Sequence, residues 1–80
     1  MKGTIYHINK TTNTYSVKLD NGDFTVFKLN DMIDLKPGDI VIGELNLYGL
    51  NKLTNQTQGL NFMADIDKFM ISESDAKKLV

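Results

Sequence analysis

Short runs of alternating apolar and polar residues dominate the first half of the chain. From residue 14 to residue 19 (TYSVKL) every second side chain is apolar, which is the pattern of a half-buried strand. Residues 3 to 9 (GTIYHIN) are rich in β-branched and aromatic side chains, and so are residues 24 to 29 (FTVFKL). Asn21-Gly22 between the last two runs is typical of a tight hairpin turn, because both residues tolerate positive φ. The pattern predicts a three-stranded meander.

Two further apolar runs in the second half predict two more strands. Residues 40 to 48 (IVIGELNLY) predict a fourth strand, in which Gly43 marks a bulge or a sharp bend. Residues 60 to 69 (LNFMADIDKF) predict a fifth strand. Residues 49 to 59 (GLNKLTNQTQG) are polar apart from two leucines, and we predict that they form the most mobile segment.

The last ten residues have helix signals. Ser72 is suited to the N-cap position, and Asp75 follows three residues later as an imperfect capping box. Lys77 and Lys78 fall in the last turn, where the helix dipole favours cations. A helix this short is marginal on its own, so residues 71 to 80 form either a short helix or a frayed tail.

Five short strands with a break after the third favour a closed barrel over a flat sheet, because closure removes exposed strand edges. We therefore predict one all-β domain over residues 1 to 80, a five-stranded OB-like Greek-key barrel. The 41% apolar content is that of a folded protein, and the absence of cysteine excludes disulfides and thiolate metal sites. No run is apolar enough for a membrane span or an export signal, so we expect a cytoplasmic protein with no membrane partner.

The charge is unevenly distributed although its sum is only −1. Residues 1 to 19 contain three lysines and no acid, so the first hairpin is basic on an otherwise acidic molecule. All nine cations are lysines, which excludes the planar bidentate contacts that arginine makes with phosphate or guanine. This balance excludes a tight nucleic-acid binder held by many cationic contacts, but it is compatible with a weak one.

The opening stretch MKGTIYHIN resembles the first strand of bacterial cold-shock domains. The resemblance implies that Ile5 and Ile8 are core residues and that His7 stands where that family displays a tryptophan to stack on a base. The stretches YSVKLDNGDF and LKPGDIVIGELNLYGL resemble bacterial translation initiation factor one. Both families are OB-fold proteins that bind RNA or single-stranded nucleic acid, so the resemblance, which covers residues 1 to 50, implies this fold and this ligand.

His7, the only histidine, has three interpretations: an exposed strand residue without a role, a member of a binding face, or a partly buried residue with its hydrogen bonds satisfied. If a bulge turns Ile5 and Ile8 inward, Tyr6 and His7 are both left near the surface. Nearby lysines would then complete an aromatic and basic platform of the kind that holds single strands. The alternative is an ordinary solvated face. The candidate nucleic-acid-binding residues are Lys2, Tyr6, His7, Lys10, Lys18 and Lys28.

Two functions follow from these observations. The first is a binding module for single-stranded RNA or DNA that acts weakly through strands one to three. The second is a protein interaction or assembly domain that uses an edge strand, the 49 to 59 segment or the terminal helix. The acidic charge, the absence of arginine and the single aromatic in TYSVKL favour the second, whereas the basic first hairpin favours the first, which is the function we predict. Asp31, Asp34 and Asp39 are turn residues whose spacing does not fit a calcium loop. We expect no catalytic residues, metal or cofactor.

Overall fold

The computed structural model describes residues 1 to 80 as a barrel of six strands followed by one helix. The elements are β1 (Lys2–Asn9), β2 (Thr14–Leu19), β3 (Phe24–Leu29), β4 (Ile40–Ile42), β5 (Gly49–Asn55), β6 (Leu60–Ile71) and α1 (Glu73–Leu79). The all-β barrel with a short C-terminal helix is confirmed, although it has six strands where the sequence predicted five.

The strands follow one another around the closed barrel in the order β1-β2-β3-β6-β5-β4. The chain leaves the β1-β2-β3 meander by a long connection and returns with β4 beside β1, which is the Greek-key arrangement. Every neighbouring pair is antiparallel. A closed ring with an odd number of strands must contain one parallel pair, so the sixth strand is what allows wholly antiparallel closure.

The extra strand arises because two predictions for the second half were wrong. The fourth strand ends at Ile42, and the chain bends at Gly43. The backbone approaches β5 closely there: a Cβ added at Gly43 would lie 2.5 Å from Leu53 Cδ2, so the bend requires glycine. The segment predicted to be mobile contains β5, which pairs with β6 along its whole length. Its inward positions include the fully buried Leu53 and Asn55. An amide in a core position interrupts the apolar alternation, so the strand was not recognisable from its sequence.

The barrel interior holds the main hydrophobic core. Tyr15 and Phe27 stack with ring centroids 5.5 Å apart, and Phe62 lies 5.8 Å from Phe27 on the other side. The thirteen buried members of this cluster are Ile5, Tyr15, Val17, Leu19, Phe27, Leu29, Leu35, Val41, Leu45, Leu53, Phe62, Ala64 and Ile66. Aromatic residues from three different strands therefore fill the centre, as expected for so small a domain.

A second, smaller cluster lies outside the barrel. Phe24 and Val26 point outward from β3, and both are buried in a cluster with Ala76 of α1, against which the partly buried Ile71 and Val80 also pack. Ser72 caps α1 by accepting a hydrogen bond from the Asp75 backbone N–H at 3.2 Å, as the capping pattern predicted. The terminal residues therefore form a helix that covers part of the outer surface of the sheet.

Asp39 ties the β3–β4 connection to the β5–β6 turn. Its Oδ2 accepts hydrogen bonds from Asn55 Nδ2 at 2.8 Å, Gln58 Nε2 at 2.6 Å and the Lys36 backbone N–H at 3.0 Å. Burial acts to raise the pKa of the Asp39 carboxyl, but these three hydrogen bonds outweigh it and hold that pKa below its ordinary value. Asp39 is a turn residue, as predicted, and it also binds side chains from the β5–β6 turn.

We predict that Asp39→Asn destabilises the barrel by about 1–3 kcal/mol at neutral pH, because hydrogen bonds to a charged acceptor are stronger than those to a neutral one. The pKa of Asp39 is lower in the folded state, so its stabilisation is complete above the ordinary aspartate pKa and is lost as pH falls through the folded value. Asp39→Asn should therefore flatten the acid branch of the stability profile measured by urea unfolding from pH 2 to 7. The exposed Asp20→Asn is the control, and an unchanged acid branch in Asp39→Asn would contradict the assignment.

Candidate nucleic-acid interface

A bulge in β1 determines what this strand presents to solvent. Ile5 pairs with Val17 and Ile8 pairs with Tyr15, so two residues of β1 lie opposite the single residue Ser16 of β2. Because of the extra residue, Ile5 is buried in the core and Ile8 packs against it. Tyr6 and His7, the two bulged residues, are left consecutive on the outside, as the sequence predicted for this case.

Ser16 holds the bulge in place. Its Oγ accepts a hydrogen bond from the His7 backbone N–H at 2.8 Å and lies 2.8 Å from Nδ1 of the His7 ring. The Oγ–Nδ1 contact is a hydrogen bond whose direction depends on the tautomer of the ring, since a hydroxyl can both donate and accept. Ser16 is fully buried, and it orients the ring of the partly exposed His7. The Nε2 side of the ring is left free for a ligand.

Three rings meet on this outer face. Tyr6 contacts His7 edge-on at a centroid distance of 4.8 Å and Phe24 edge-on at 5.3 Å. His7 and Phe24 lie more nearly parallel, 6.1 Å apart with 27° between their planes. Phe24 is buried, whereas 43% of Tyr6 is exposed. Phe24 therefore supports the two rings from below, and Tyr6 and His7 are the ones displayed.

A lysine completes the cluster. Lys18 of β2 pairs with Thr4 of β1, so it projects from the same outer face as Tyr6. Its Nζ lies 5.7 Å from the centroid of the Tyr6 ring, within the range of a cation–π contact. We call Tyr6, His7, Lys18 and the supporting Phe24 the platform.

The other three candidate lysines lie around or beyond the platform. Lys2 is on β1 and pairs with Ile42 of β4, toward the far end of the strand. Lys10 follows the end of β1 and forms an exposed ion pair with Asp34 at 3.1 Å. It shares a shallow groove with His7. Lys10 therefore flanks the platform, whereas Lys2 is four residues from Tyr6 on the same strand, about 13 Å at the usual rise per residue of a strand.

Lys28 is separate from the platform. It pairs with Thr14 and Asp65 near the end of β3. Phe24 is four residues away on the same strand, or about 13 Å at the usual rise per residue of a strand. Lys28 instead lines a different cleft, one that Asp65 also lines. The structure therefore brings together three of the six predicted residues, places Lys10 at their margin and leaves Lys2 and Lys28 apart.

Two residues of this region were missed from the sequence. Phe24 and Phe27 are three residues apart and so lie on opposite faces of their strand, but the contact of Phe24 with Tyr6 spans from β3 to β1 and depends on the packing of the sheet. Lys77 of α1 lines the groove that His7 and Lys10 also line. No signal along the chain links residue 77 to residue 7, because the docking of α1 alone brings them together.

Other kinds of site have no corresponding geometry. No group of three or more histidine, cysteine, aspartate or glutamate side chains is arranged to hold a metal ion. The structure also contains no helix with the length and apolar character of a membrane span.

Comparisons with protein-family models, with curated proteins and with solved structures found no match to this chain. The small closed barrel is compatible with an OB-like fold. The resemblance to cold-shock domains and to translation initiation factor one has no support from these comparisons, so it stays a prediction.

We predict that Ser16→Ala destabilises the protein by about 1–3 kcal/mol, because the His7 backbone N–H loses its partner inside the bulge. Thermal unfolding followed by circular dichroism measures this loss. The His7 ring should also lose its fixed orientation, seen as averaged side-chain NMR signals. Ser74→Ala, at an exposed serine of α1, is the control. An unchanged melting temperature in Ser16→Ala would show that the bulge does not need this hydroxyl.

Proposed function

We propose that this protein is a small β-barrel module that binds single-stranded RNA or DNA weakly through the outer face of β1 and β2. The observation that carries the proposal is the platform itself, where an exposed tyrosine ring lies beside a histidine ring and 5.7 Å from a lysine ammonium group. Stacking of a base on an aromatic ring and attraction of the adjacent phosphate by a cation are the two contacts that single-strand binders combine.

The roles of the individual residues follow from their exposure and charge. Tyr6 offers its ring to a base, and the free Nε2 edge of His7 offers a hydrogen bond to the same nucleotide. Lys18 neutralises the neighbouring phosphate, and Lys10 at the margin and Lys2 at the start of β1 add longer-range attraction. With one displayed tyrosine, no arginine and a net charge of −1, the binding is weak and sensitive to salt.

The closed barrel favours this function over a protein-interaction domain of the kind the sequence suggested. A partner protein that adds a strand needs an unpaired edge, and closure removes such edges. Residues 49 to 55 are a paired strand, and α1 is docked through Ala76. Support for protein contact through these three surfaces is therefore weaker than support for the platform.

We also propose that the barrel is a variant of the OB fold of cold-shock domains and translation initiation factor one. The Greek-key order, the bulge that displays Tyr6 and His7, and the Asn21-Gly22 hairpin support this relationship. The sixth strand is the feature in which this chain departs from the five-stranded form.

We predict that Tyr6→Leu weakens binding of short oligonucleotides by about 1–3 kcal/mol, because leucine keeps the packing against Phe24 but offers no ring for stacking. An NMR titration with short DNA and RNA strands at low salt measures the affinity and locates the contact. Tyr48→Leu is the matched control, since Tyr48 is 61% exposed and lies outside the platform. Absence of shifts on β1 and β2 in the wild-type protein at millimolar oligonucleotide would refute the proposal.

We predict that Lys18→Gln lowers the salt dependence of binding, because each phosphate contact to a single strand contributes about 0.7 to the slope of log K against log salt. Affinities measured by fluorescence anisotropy between 20 and 200 mM salt, roughly the range over which this effect is large, give that slope. Lys52→Gln, an exposed lysine on β5, should leave the slope unchanged. Equal slopes for both variants would mean that Lys18 does not contact phosphate.

A further inference from the structure

We propose that helix α1 is a displaceable cover over a second half of the same interface, and that a longer single strand binds there after α1 moves away. This inference rests on the proposed function and extends it. The covered surface is the outer face of β2 and β3, where Phe24 and Val26 lie beneath Ala76. The ligand class is again single-stranded nucleic acid, but of greater length than the exposed platform can hold.

The covered residues point away from the barrel core. On β3, Phe27 and Leu29 belong to the interior cluster, whereas Phe24 and Val26 belong to the separate cluster with Ala76. A sheet face that carries two large apolar side chains outward is solvent-exposed unless another element covers it. Here Ala76 of α1 is buried with both side chains, and the partly buried Ile71 and Val80 pack at the same cluster, so departure of α1 would uncover Phe24 and Val26 on the side where Ala76 lies.

The covered face is continuous with the platform. Phe24 touches Tyr6 edge-on at 5.3 Å and lies nearly parallel to His7, so one aromatic row extends from the exposed rings to the edge of the helix. Ser16 on β2, which is also fully buried, supplies a hydroxyl on the same outer face. A base stacked on Tyr6 therefore has a further stacking surface next to it, which α1 occupies.

Several features of α1 make it easy to displace. It has seven residues, and isolated helices shorter than about 12 residues are marginal in water. Its one fully buried side chain is that of Ala76, the smallest that can pack. The two clusters are separate, so undocking of α1 leaves the thirteen-residue barrel core closed. Docking of α1 is therefore a local equilibrium that a ligand can shift.

The charges of α1 balance, and this guides the design of the variants. Two acids in its first turn, Glu73 and Asp75, are matched by Lys77 and Lys78 in its last turn. Undocking the helix therefore leaves the net charge near the face unchanged. A change in affinity on undocking then reports the uncovered surface, provided that the substitutions used are themselves uncharged.

The experiment compares Ala76→Gln with Ser74→Gln in the full chain. Glutamine at position 76 is too large and polar for the contact with Phe24 and Val26, whereas at the exposed position 74 it leaves that contact intact. Both variants keep the net charge and a residue that favours helix. Ser72→Ala is a third variant, which weakens the helix by removing its cap and does not touch the interface.

The probes are oligothymidylates of about three and about nine nucleotides at low salt, a range that brackets common single-strand site sizes. A cover that is closed about nine-tenths of the time lowers apparent affinity about tenfold. We therefore expect Ala76→Gln to bind the longer strand about tenfold more tightly, with Ser72→Ala intermediate and Ser74→Gln equal to the wild type. Affinity for the shorter strand should not change. New NMR shifts should appear at Ser16 and Val26.

Each other outcome overturns a defined part of the scheme. If the wild type binds and Ala76→Gln has the same affinity, although loss of amide protection shows that α1 has undocked, the cover is refuted and the platform stands. If no protein binds either strand, both proposals fail. If Ala76→Gln does not fold, Ser72→Ala decides in its place. An affinity for the longer strand equal to that of the wild type would then refute the cover.

Discussion

The extra residue in β1 opposite Ser16 is the constraint on which the outer surface of this barrel depends. Without it, strict alternation would place Ile5 and His7 on one face and Tyr6 and Ile8 on the other. Because of the bulge, both isoleucines pack in or against the core, and Tyr6 and His7 lie side by side on the outside. A buried serine hydroxyl fixes this arrangement by bonding to the backbone and to the ring of the same residue, His7. The same bulge therefore determines both the packing of β1 in the core and the exposure of Tyr6 and His7.

Barrel closure rests on a second polar contact. Asp39 lies in the connection that carries the chain from the meander to β4, and its carboxylate is bound by side chains from the β5–β6 turn. The backbone carbonyl of Asp39 also accepts a hydrogen bond from the Ile5 backbone N–H at 2.9 Å. A short β4 of three residues gains little from its own ladder, so these contacts hold both sides of the crossover together. A buried charge with all its donors in place is stable in such a position.

In the proposed scheme, the outer surface differs between the docked and the undocked state of α1. With α1 docked, the aromatic row ends at Tyr6 and His7, and Phe24 serves only as their support. With α1 undocked, Phe24 becomes part of the surface. The separation of the two hydrophobic clusters means that this change does not disturb the barrel interior.

Local signals in the sequence were sufficient for the meander, the Asn21-Gly22 hairpin, the Ser72 cap and the barrel class, because alternation, turn residues and caps act over a few positions. They left residues 71 to 80 open between a short helix and a frayed tail, and the docking of α1 decided for the helix. They also identified Tyr6, His7 and Lys18, which lie on adjacent strands of one hairpin. Only the tertiary structure decided that residues 49 to 55 form a strand, since the buried Asn55 is satisfied by Asp39 from a distant turn. It alone placed Phe24 beneath Tyr6 and Lys77 beside His7, because those contacts depend on elements that meet only when the barrel closes and α1 docks.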